Sequence, residues 1–280
     1  MVRAIGSYFC VLLAAAGIAR AAPVLPCNAA PDVHIDPERW NVTADQMAPG
    51  PLLGAPPGSP PPGLGQRVAV SGGPGARPLP GDFANVCRYQ AANQHLPRHA
   101  GVRVVLIGDS ITDLWAFANP GLFARDFVDR GISGQTSGQM LLRFRQDVLE
   151  LRPGVVVILA GTNDVNGPLG GASVSIVEDN IQSMVELAFL HDIKVVLATL
   201  PPFGARLATP EKRAAIQELN GWIEIYARKR GAGLADYHAV LVDRDGALDP
   251  KRSLDGLHPN HAGYLAMEAQ LGAALSRISP

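Results

Sequence analysis

The sequence predicts an α/β protein in which a parallel sheet of about five strands lies between two layers of helices, a three-layer αβα sandwich. From residue 102 onward, short apolar runs rich in β-branched residues alternate with longer segments that repeat apolar residues at helical spacing. Several of these runs are apolar at almost every position, which is typical of strands buried on both faces of a parallel sheet.

The predicted elements follow one another in regular alternation. Strands are predicted at 102–107, 127–131, 155–160, 194–199 and 234–237. Helices are predicted at 136–149, 174–191, 210–230 and 262–278. Sheets of this kind form their binding sites at the carboxyl ends of the strands, so the residues that follow each strand are the candidates for function.

Length and charge limit the possible function. A chain of 280 residues with 47% hydrophobic side chains is long enough to bury one substantial core. The 24 Lys and Arg residues are balanced by 25 Asp and Glu residues, and no candidate helix carries a basic stripe. This balance argues against a nucleic-acid partner.

The first 21 residues have the pattern of a secretory signal peptide. Arg3 precedes an apolar run at 8–18, and Ala19-Arg20-Ala21 forms a small-residue cleavage site before Ala22. The alternative, an uncleaved membrane anchor, is disfavoured because the run is shorter than the ~20 residues that span a bilayer. We therefore expect a secreted or periplasmic protein without stable membrane insertion.

Residues 22–101 are predicted to form an extension that precedes the main domain at 102–280. The stretch 49–81 is more than half Pro and Gly, which is typical of a linker or surface loop, whereas 82–96 is predicted to be a short helix that could lie against the main domain. Removal of the signal peptide leaves two cysteines, Cys27 and Cys87. One disulfide is expected in an oxidising compartment, and two free thiols are the alternative.

Polar residues suited to nucleophilic catalysis follow the predicted strands. Ser110 comes directly after the first strand, and a serine hydroxyl needs a base and an orienting group to become a nucleophile. His258 and Asp255 lie three residues apart in a turn before the last helix, a spacing that can bring the carboxylate beside the imidazole. The backbone amides of Ser110 and Gly134, with the side-chain amide of Asn163, could stabilise an oxyanion.

Four sequence blocks, GDSITD, GISGQTS, AGTNDV and DGLHPN, resemble in order the signature blocks of the SGNH hydrolases, also called GDSL-type lipases and acylhydrolases. The resemblance covers about 102–280. It implies a flavodoxin-like fold, a nucleophile at Ser110, oxyanion donors at Gly134 and Asn163, and an Asp and His pair at Asp255 and His258. It implies no cofactor.

Other residues in these blocks have structural interpretations. Asp109 and Asp164 are expected to stabilise turns, and Asp113 to cap the helix that follows it. Trp115 and Phe117 could line an acyl pocket or pack in the core, and the sequence does not distinguish the two.

The preferred functional hypothesis is a secreted serine esterase that hydrolyses short acyl esters, above all acetyl esters carried on carbohydrates. A small-molecule or glycan ester is thus the expected partner. The alternatives are a lysophospholipase or thioesterase, a non-catalytic binding module, and a metal-dependent phosphoesterase. Oxygen and imidazole ligands for the metal would come from Asp109, Asp113, Asn163, Asp164 and His258. The sequence leaves the oligomeric state open.

Overall fold

The computed structural model describes residues 81–96, 104–123, 126–166 and 173–278. The predicted signal peptide at 1–21, Cys27 and all but the end of the Pro/Gly-rich stretch at 49–81 lie outside the described residues. Within the described part of the chain, no helix has the length and apolar character needed to cross a membrane.

Five parallel strands form the sheet. They are β1 Val104–Gly108, β2 Phe127–Gly131, β3 Val155–Ile158, β4 Lys194–Ala198 and β5 Gly233–Ala235. The strand order is β2-β1-β3-β4-β5, and every neighbouring pair is parallel. The predicted αβα architecture with a parallel sheet of about five strands is therefore confirmed, although β3 ends at Ile158 and β5 at Ala235, each two residues earlier than predicted.

Helices precede, connect and follow the strands. They are α1 Gln90–His95, α2 Ser110–Ala118, α3 Pro120–Phe123, α4 Ser137–Asp147, α5 Thr162–Asn166, α6 Val174–Phe189, α7 Pro210–Arg230, α8 Tyr237–Leu241 and α9 His261–Ile278. Short 3₁₀ turns lie at Leu149–Leu151 and Pro250–Arg252. The four predicted main helices correspond to α4, α6, α7 and α9.

The predicted helix at 82–96 is wrong over most of its length, because only α1 is helical. The side chain of Asp82 accepts hydrogen bonds from the backbone N–H groups of Val86 and Cys87 at 2.8 and 3.0 Å. Asn85 has a positive φ of 52°. A side chain that captures backbone donors in this way favours turns over a helix, so the segment turns twice before α1 begins.

Cys87 is disulfide-bonded.

The sheet is buried on both faces because alternate residues of each strand point to opposite sides. On one face the strands pack against α4, α6 and α7, and on the other against α2, α8 and α9. The first face contains Val105, Ile107, Val156, Ile158, Val195 and Leu197. The second contains Val104, Leu106, Val155, Val157, Val196 and Ala198. Both sets are 6% exposed or less.

Local signals at both ends fix α7. The hydroxyl of Thr209 accepts a hydrogen bond from the backbone N–H of Lys212 at 3.3 Å, and Pro210 occupies the first turn. Gly231 ends the helix in the left-handed conformation, with φ 68°. These caps explain why the helix has the predicted bounds.

Two glycines allow α2 to approach the sheet closely. A Cβ on Gly108 would lie 2.0 Å from the hydroxyl oxygen of Thr112, and a Cβ on Gly131 would lie 2.2 Å from the backbone nitrogen of Asp113. The first turn of α2 therefore rests directly on the carboxyl ends of β1 and β2. This contact fixes the position of Ser110, the first residue of α2.

We expect Gly131→Ala to lower the free energy of unfolding by about 1–3 kcal/mol, because the added methyl group meets backbone atoms that can only move by displacing α2. Chemical denaturation measures the change. Gly221→Ala is the matched control, since Gly221 lies inside α7 with open space around it. That variant should be more stable by up to ~1 kcal/mol. Unchanged stability of Gly131→Ala would contradict the close contact.

Candidate active site

Ser110 lies at the amino-terminal end of α2, directly after β1. Asp109 is the N-cap, and its carboxylate accepts a hydrogen bond from the backbone N–H of Ile111 at 2.9 Å. The expectation that Asp113 caps this helix is therefore wrong, because Asp113 lies inside α2. Ser110 is 6% exposed, so only a small part of the residue is open to solvent.

The hydroxyl of Ser110 meets an imidazole that is itself held by a carboxylate. Nε2 of His258 lies 2.9 Å from Oγ of Ser110, and Nδ1 of His258 lies 2.8 Å from Oδ2 of Asp255. His258 is 4% exposed. The structure thus joins the three residues in one hydrogen-bonded chain, although 148 positions separate Ser110 from His258.

The turn before α9 orients His258. Oδ1 of Asp255 accepts hydrogen bonds from the backbone N–H groups of Leu257 and His258 at 2.9 and 2.8 Å, which leaves Oδ2 for the imidazole. Burial by itself would raise the pKa of the Asp255 carboxyl, but the hydrogen bonds and charge of His258 and the N–H of Leu257 lower it to about 2. Asp255 is therefore ionised at neutral pH and stabilises a protonated imidazole.

A second loop supports this turn. The backbone N–H of Gly204 donates to the carbonyl of Gly256 at 2.7 Å, and a Cβ on Gly204 would lie 2.7 Å from Cα of Gly256. The two segments can approach this closely only because Gly204 lacks a side chain. The loop that follows β4 therefore limits the movement of the turn that carries His258.

Gly134 and Asn163 lie together at the sheet edge that carries Ser110. Gly134 has φ 81°, a conformation that favours glycine, and a Cβ added at this position would have no atom within 4 Å. Nδ2 of Asn163 donates to the carbonyl of Gln135 at 2.9 Å and lies 3.4 Å from Oδ2 of Asp109. Asn163 thus bridges the residue after Gly134 and the residue before Ser110, which brings the predicted oxyanion donors to one edge of the sheet.

The carboxyl of Asp109 is completely buried beside this cluster. Burial raises its pKa to about 6, against the opposing effects of the Ile111 N–H and the charge of His258. Its hydrogen bond to Ile111 agrees with the predicted turn-stabilising role. Asp109 therefore supports Ser110 from the position immediately before it.

Two other carboxylates near the site also have structural partners. Asp164 accepts hydrogen bonds from the backbone N–H and the hydroxyl of Ser137 at 2.9 and 2.7 Å, which ties α5 to the start of α4. Asp113 pairs with Arg88 at 2.7 Å and accepts from Ser133. Among the residues that the structure describes, no group of three or more His, Cys, Asp or Glu side chains is placed to hold a metal ion.

Gln135 and Arg143 are parts of the site that the sequence does not reveal. Arg143 is 0% exposed and donates to Oε1 of Gln135 at 2.5 Å and to the carbonyl of Gly108 at 3.0 Å. Arg143 looks like one of the polar residues of an amphipathic helix, so no pattern marks it as buried. Gln135 lies in the block GISGQTS, which is the one signal that could have singled it out.

Trp115 packs in the core and does not line an acyl pocket. It is 1% exposed, and its ring lies 5.5 to 6.5 Å from the rings of Phe123, Tyr237 and Tyr264. Phe117 is half-buried against the same apolar cluster. The structure therefore decides for Trp115 a question that the sequence leaves open.

Known proteins share this fold. A GDSL-like lipase from Bacteroides thetaiotaomicron is 40% identical, with a TM-score of 0.66, and the match covers 70% of this chain and 100% of that one. An acetylxylan esterase from Geobacillus stearothermophilus is 21% identical, with a TM-score of 0.54, over 62% of this chain and 94% of that one, and shows the fold alone.

Curated relatives match over shorter stretches. The esterase TesA from Pseudomonas aeruginosa is 31% identical over 139 residues, which is 47% of this chain and 60% of TesA. The lipoprotein YqeF from Bacillus subtilis is 35% identical over 80 residues, which is 28% of this chain and 33% of YqeF. The chain therefore spans less than two thirds of either relative.

The model of the GDSL-like lipase/acylhydrolase family matches residues 106–266, which is more than half of the chain. The match includes Ser110, Gly134, Asn163, Asp255 and His258. The chain belongs to the GDSL-like lipase/acylhydrolase family, whose members are carboxylic ester hydrolases.

Proposed function

We propose that this protein is a serine esterase with Ser110 as its nucleophile, and that it removes short acyl groups, acetyl above all, from carbohydrates outside the cytoplasm. The observation that carries the proposal is the hydrogen-bonded chain from Ser110 Oγ through both ring nitrogens of His258 to Asp255. This chain provides a nucleophile, its base and the group that orients the base.

In the first half of the reaction His258 acts as general base. Nε2 takes the proton of the Ser110 hydroxyl while Oγ attacks the ester carbonyl, and a tetrahedral oxyanion forms. His258 then gives the proton to the alcohol oxygen as the bond from carbon to that oxygen breaks. The ionised carboxylate of Asp255 keeps the second proton of the imidazole on Nδ1 and stabilises the imidazolium.

The oxyanion is stabilised by the backbone N–H groups of Ser110 and Gly134 and by the side-chain amide of Asn163. Neither backbone N–H donates a hydrogen bond to another group among the described residues, so both are available to substrate. Asn163 is held in place by the carbonyl of Gln135. Donors fixed before substrate arrives need no reorganisation when negative charge develops.

The second half of the reaction repeats these steps with water. His258 takes a proton from the water molecule as its oxygen attacks the acyl carbon. The bond from that carbon to Oγ of Ser110 then breaks, and Oγ recovers the proton from Nε2. The carboxylic acid leaves, and the enzyme returns to its starting state.

The low exposure of Ser110 and His258 supports a short acyl group. Ser110 and His258 are 6% and 4% exposed, which leaves little surface for a long chain. The stretch from Thr199 to Thr209 that follows β4 contains turns but no helix, and its Gly204 is bonded to the turn of His258. The described rim therefore lacks the long amphipathic lid that action at a lipid interface generally requires.

Extracellular carbohydrate as the acyl carrier is supported by the signal-peptide pattern at 1–21, since an exported esterase meets glycans. The relative YqeF is itself named a lipoprotein.

The nucleophile is tested by Ser110→Ala. Every covalent step passes through this hydroxyl, so the variant should lose esterase activity and labelling by a serine-directed phosphonate while its melting temperature stays nearly unchanged. Ser276→Ala, which changes an exposed hydroxyl on α9, is the matched control and should keep both properties. Activity at the wild-type level in Ser110→Ala would refute the proposal, and activity lost instead to a chelator would favour a metal-dependent phosphoesterase.

Substitutions of the residues that assist Ser110 should lower kcat to different extents. Loss of one preorganised oxyanion donor typically costs about 10²–10³ in kcat, so Asn163→Ala should lower kcat far more than it raises KM. His258→Ala should lower kcat further. Asp255→Asn should be milder than His258→Ala because the base remains. Asp245→Asn, which changes an exposed carboxylate that is not part of the triad, should have no effect. Steady-state kinetics decide the order, and the reverse order of Asp255→Asn and His258→Ala would disprove the assigned roles.

Substrate length is tested with p-nitrophenyl esters from acetate to palmitate, together with acetate release from acetylated xylan. We expect kcat/KM to be highest for acetate or propionate and to fall steeply with chain length, because overfilling a small pocket costs about 1–3 kcal/mol. A maximum at octanoate or beyond would instead favour a lysophospholipase or thioesterase.

A further inference from the structure

The segment 82–96 lies outside the family match at 106–266 and yet contacts the loop that carries Gly134. This loop, residues 132–136, connects β2 to α4 and is called the oxyanion loop below. Nε2 of Gln135 donates to the carbonyl of Ala84 at 2.7 Å. The hydroxyl of Tyr89 donates to the carbonyl of Gly131, where the loop begins.

A buried ion pair links this segment to the oxyanion loop through Asp113 of α2. Nη2 of Arg88 lies 2.7 Å from Oδ1 of Asp113, and the two side chains are 3% and 2% exposed. The other carboxylate oxygen, Oδ2 of Asp113, accepts hydrogen bonds from the hydroxyl and the backbone N–H of Ser133 at 2.7 and 3.1 Å. One oxygen therefore faces the guanidinium, and the other faces the residue directly before Gly134.

Asp113 also belongs to the helix that carries the nucleophile. It lies three residues after Ser110 in α2, and its backbone N–H donates to the carbonyl of Asp109 at 2.9 Å. A single carboxylate therefore joins the helix of Ser110 to the loop of Gly134. An opposite charge beside a buried carboxylate favours its ionised form, and with it strong acceptance of hydrogen bonds. Arg88 supplies such a charge at 2.7 Å.

We propose that Arg88 is a positioning residue of the active site: through Asp113 it holds Ser133, and thereby sets the Gly134 N–H against the nucleophile Ser110. The inference rests on the proposed function, because it assigns Arg88 a role in stabilising the oxyanion of that reaction. Arg88 touches no reacting atom, and its role requires no contact with the bound ester. Its loss should therefore affect the rate of the covalent step more than substrate binding.

The first test is Arg88→Gln, which keeps a polar side chain but removes the charge. We expect kcat to fall about 10- to 100-fold, because displacement of a positioned group by ~1 Å can cost about 10²-fold. KM should change less than threefold, and labelling of Ser110 by the phosphonate should slow in parallel with kcat. A kcat within twofold of the wild type would overturn the proposal, as would a rise in KM at unchanged kcat.

Gln146→Ala is the matched control for loosening of the segment. Gln146 lies in α4, and its side chain donates a hydrogen bond to the carbonyl of Val86. Its loss removes one attachment of the same segment, and kcat should stay within twofold of the wild type. A kcat loss in Gln146→Ala equal to that in Arg88→Gln would mean that docking of the segment, and not Arg88, governs the rate.

Ser133→Ala tests the last step independently, and it keeps the proposal testable if Arg88→Gln does not fold. Ser133 lies on the half-buried oxyanion loop, and this variant removes its hydroxyl, which donates to Asp113. We expect kcat to fall with KM unchanged. The double variant Arg88→Gln/Ser133→Ala should show a smaller fold-loss in kcat than the product of the two single fold-losses, because both changes act through the carboxylate of Asp113. Wild-type kcat in Ser133→Ala, or fully multiplicative losses, would refute the route through Ser133.

Ser110→Ala, measured beside these variants, separates the two proposals. If Ser110→Ala retains activity, the proposed function fails whatever Arg88 does. If Ser110→Ala is inactive while Arg88→Gln and Ser133→Ala are as fast as the wild type, only the role of Arg88 fails.

Discussion

The buried guanidinium of Arg143 is the constraint on which the rest of the site depends. It is 0% exposed and donates to the carbonyls of Gly108 and Arg130, to Asp147 and to the side chain of Gln135. A buried charge is tolerated only when its donors are satisfied. These bonds therefore fix the carboxyl ends of β1 and β2 and the oxyanion loop in relation to α4. Ser110 follows the end of β1, so its position is set by the same group.

Gln135 extends this constraint in two directions. Its Oε1 accepts from Arg143, its Nε2 donates to Ala84 and its backbone carbonyl accepts from Asn163. One residue thus connects the core, the segment 82–96 and the side-chain amide proposed to stabilise the oxyanion. Such a network holds a single arrangement because each member would lose a buried hydrogen bond if it moved.

The contact between the segment 82–96 and the domain includes buried charges as well as buried apolar side chains such as Tyr89. Asp129 lies in the same region, where burial and the charge of Asp113 raise the pKa of its carboxyl to about 7. The guanidinium of Arg130 bonds the amide oxygen of Asn93, and that of Arg88 pairs with Asp113. Buried ion pairs add little net stability once desolvation is counted, but breaking one leaves a costly lone charge. The contact therefore favours one docked position of the segment.

The sequence by itself determined the αβα architecture, because buried strands appear as short apolar runs and amphipathic helices as apolar residues at helical spacing. It also singled out Ser110, Asp255 and His258, since the chemistry of each is local to a short block at a strand end. Only the tertiary structure decided what Arg143, Gln135 and Arg88 contact. Their partners lie elsewhere in the chain, and a polar side chain on a helix or turn has the same local pattern whether it faces water or a buried carbonyl. The helix predicted at 82–96 is shortened to Gln90–His95 for a related reason, because the Asp82 side chain accepts hydrogen bonds from backbone N–H groups that apolar periodicity assigns to a helix.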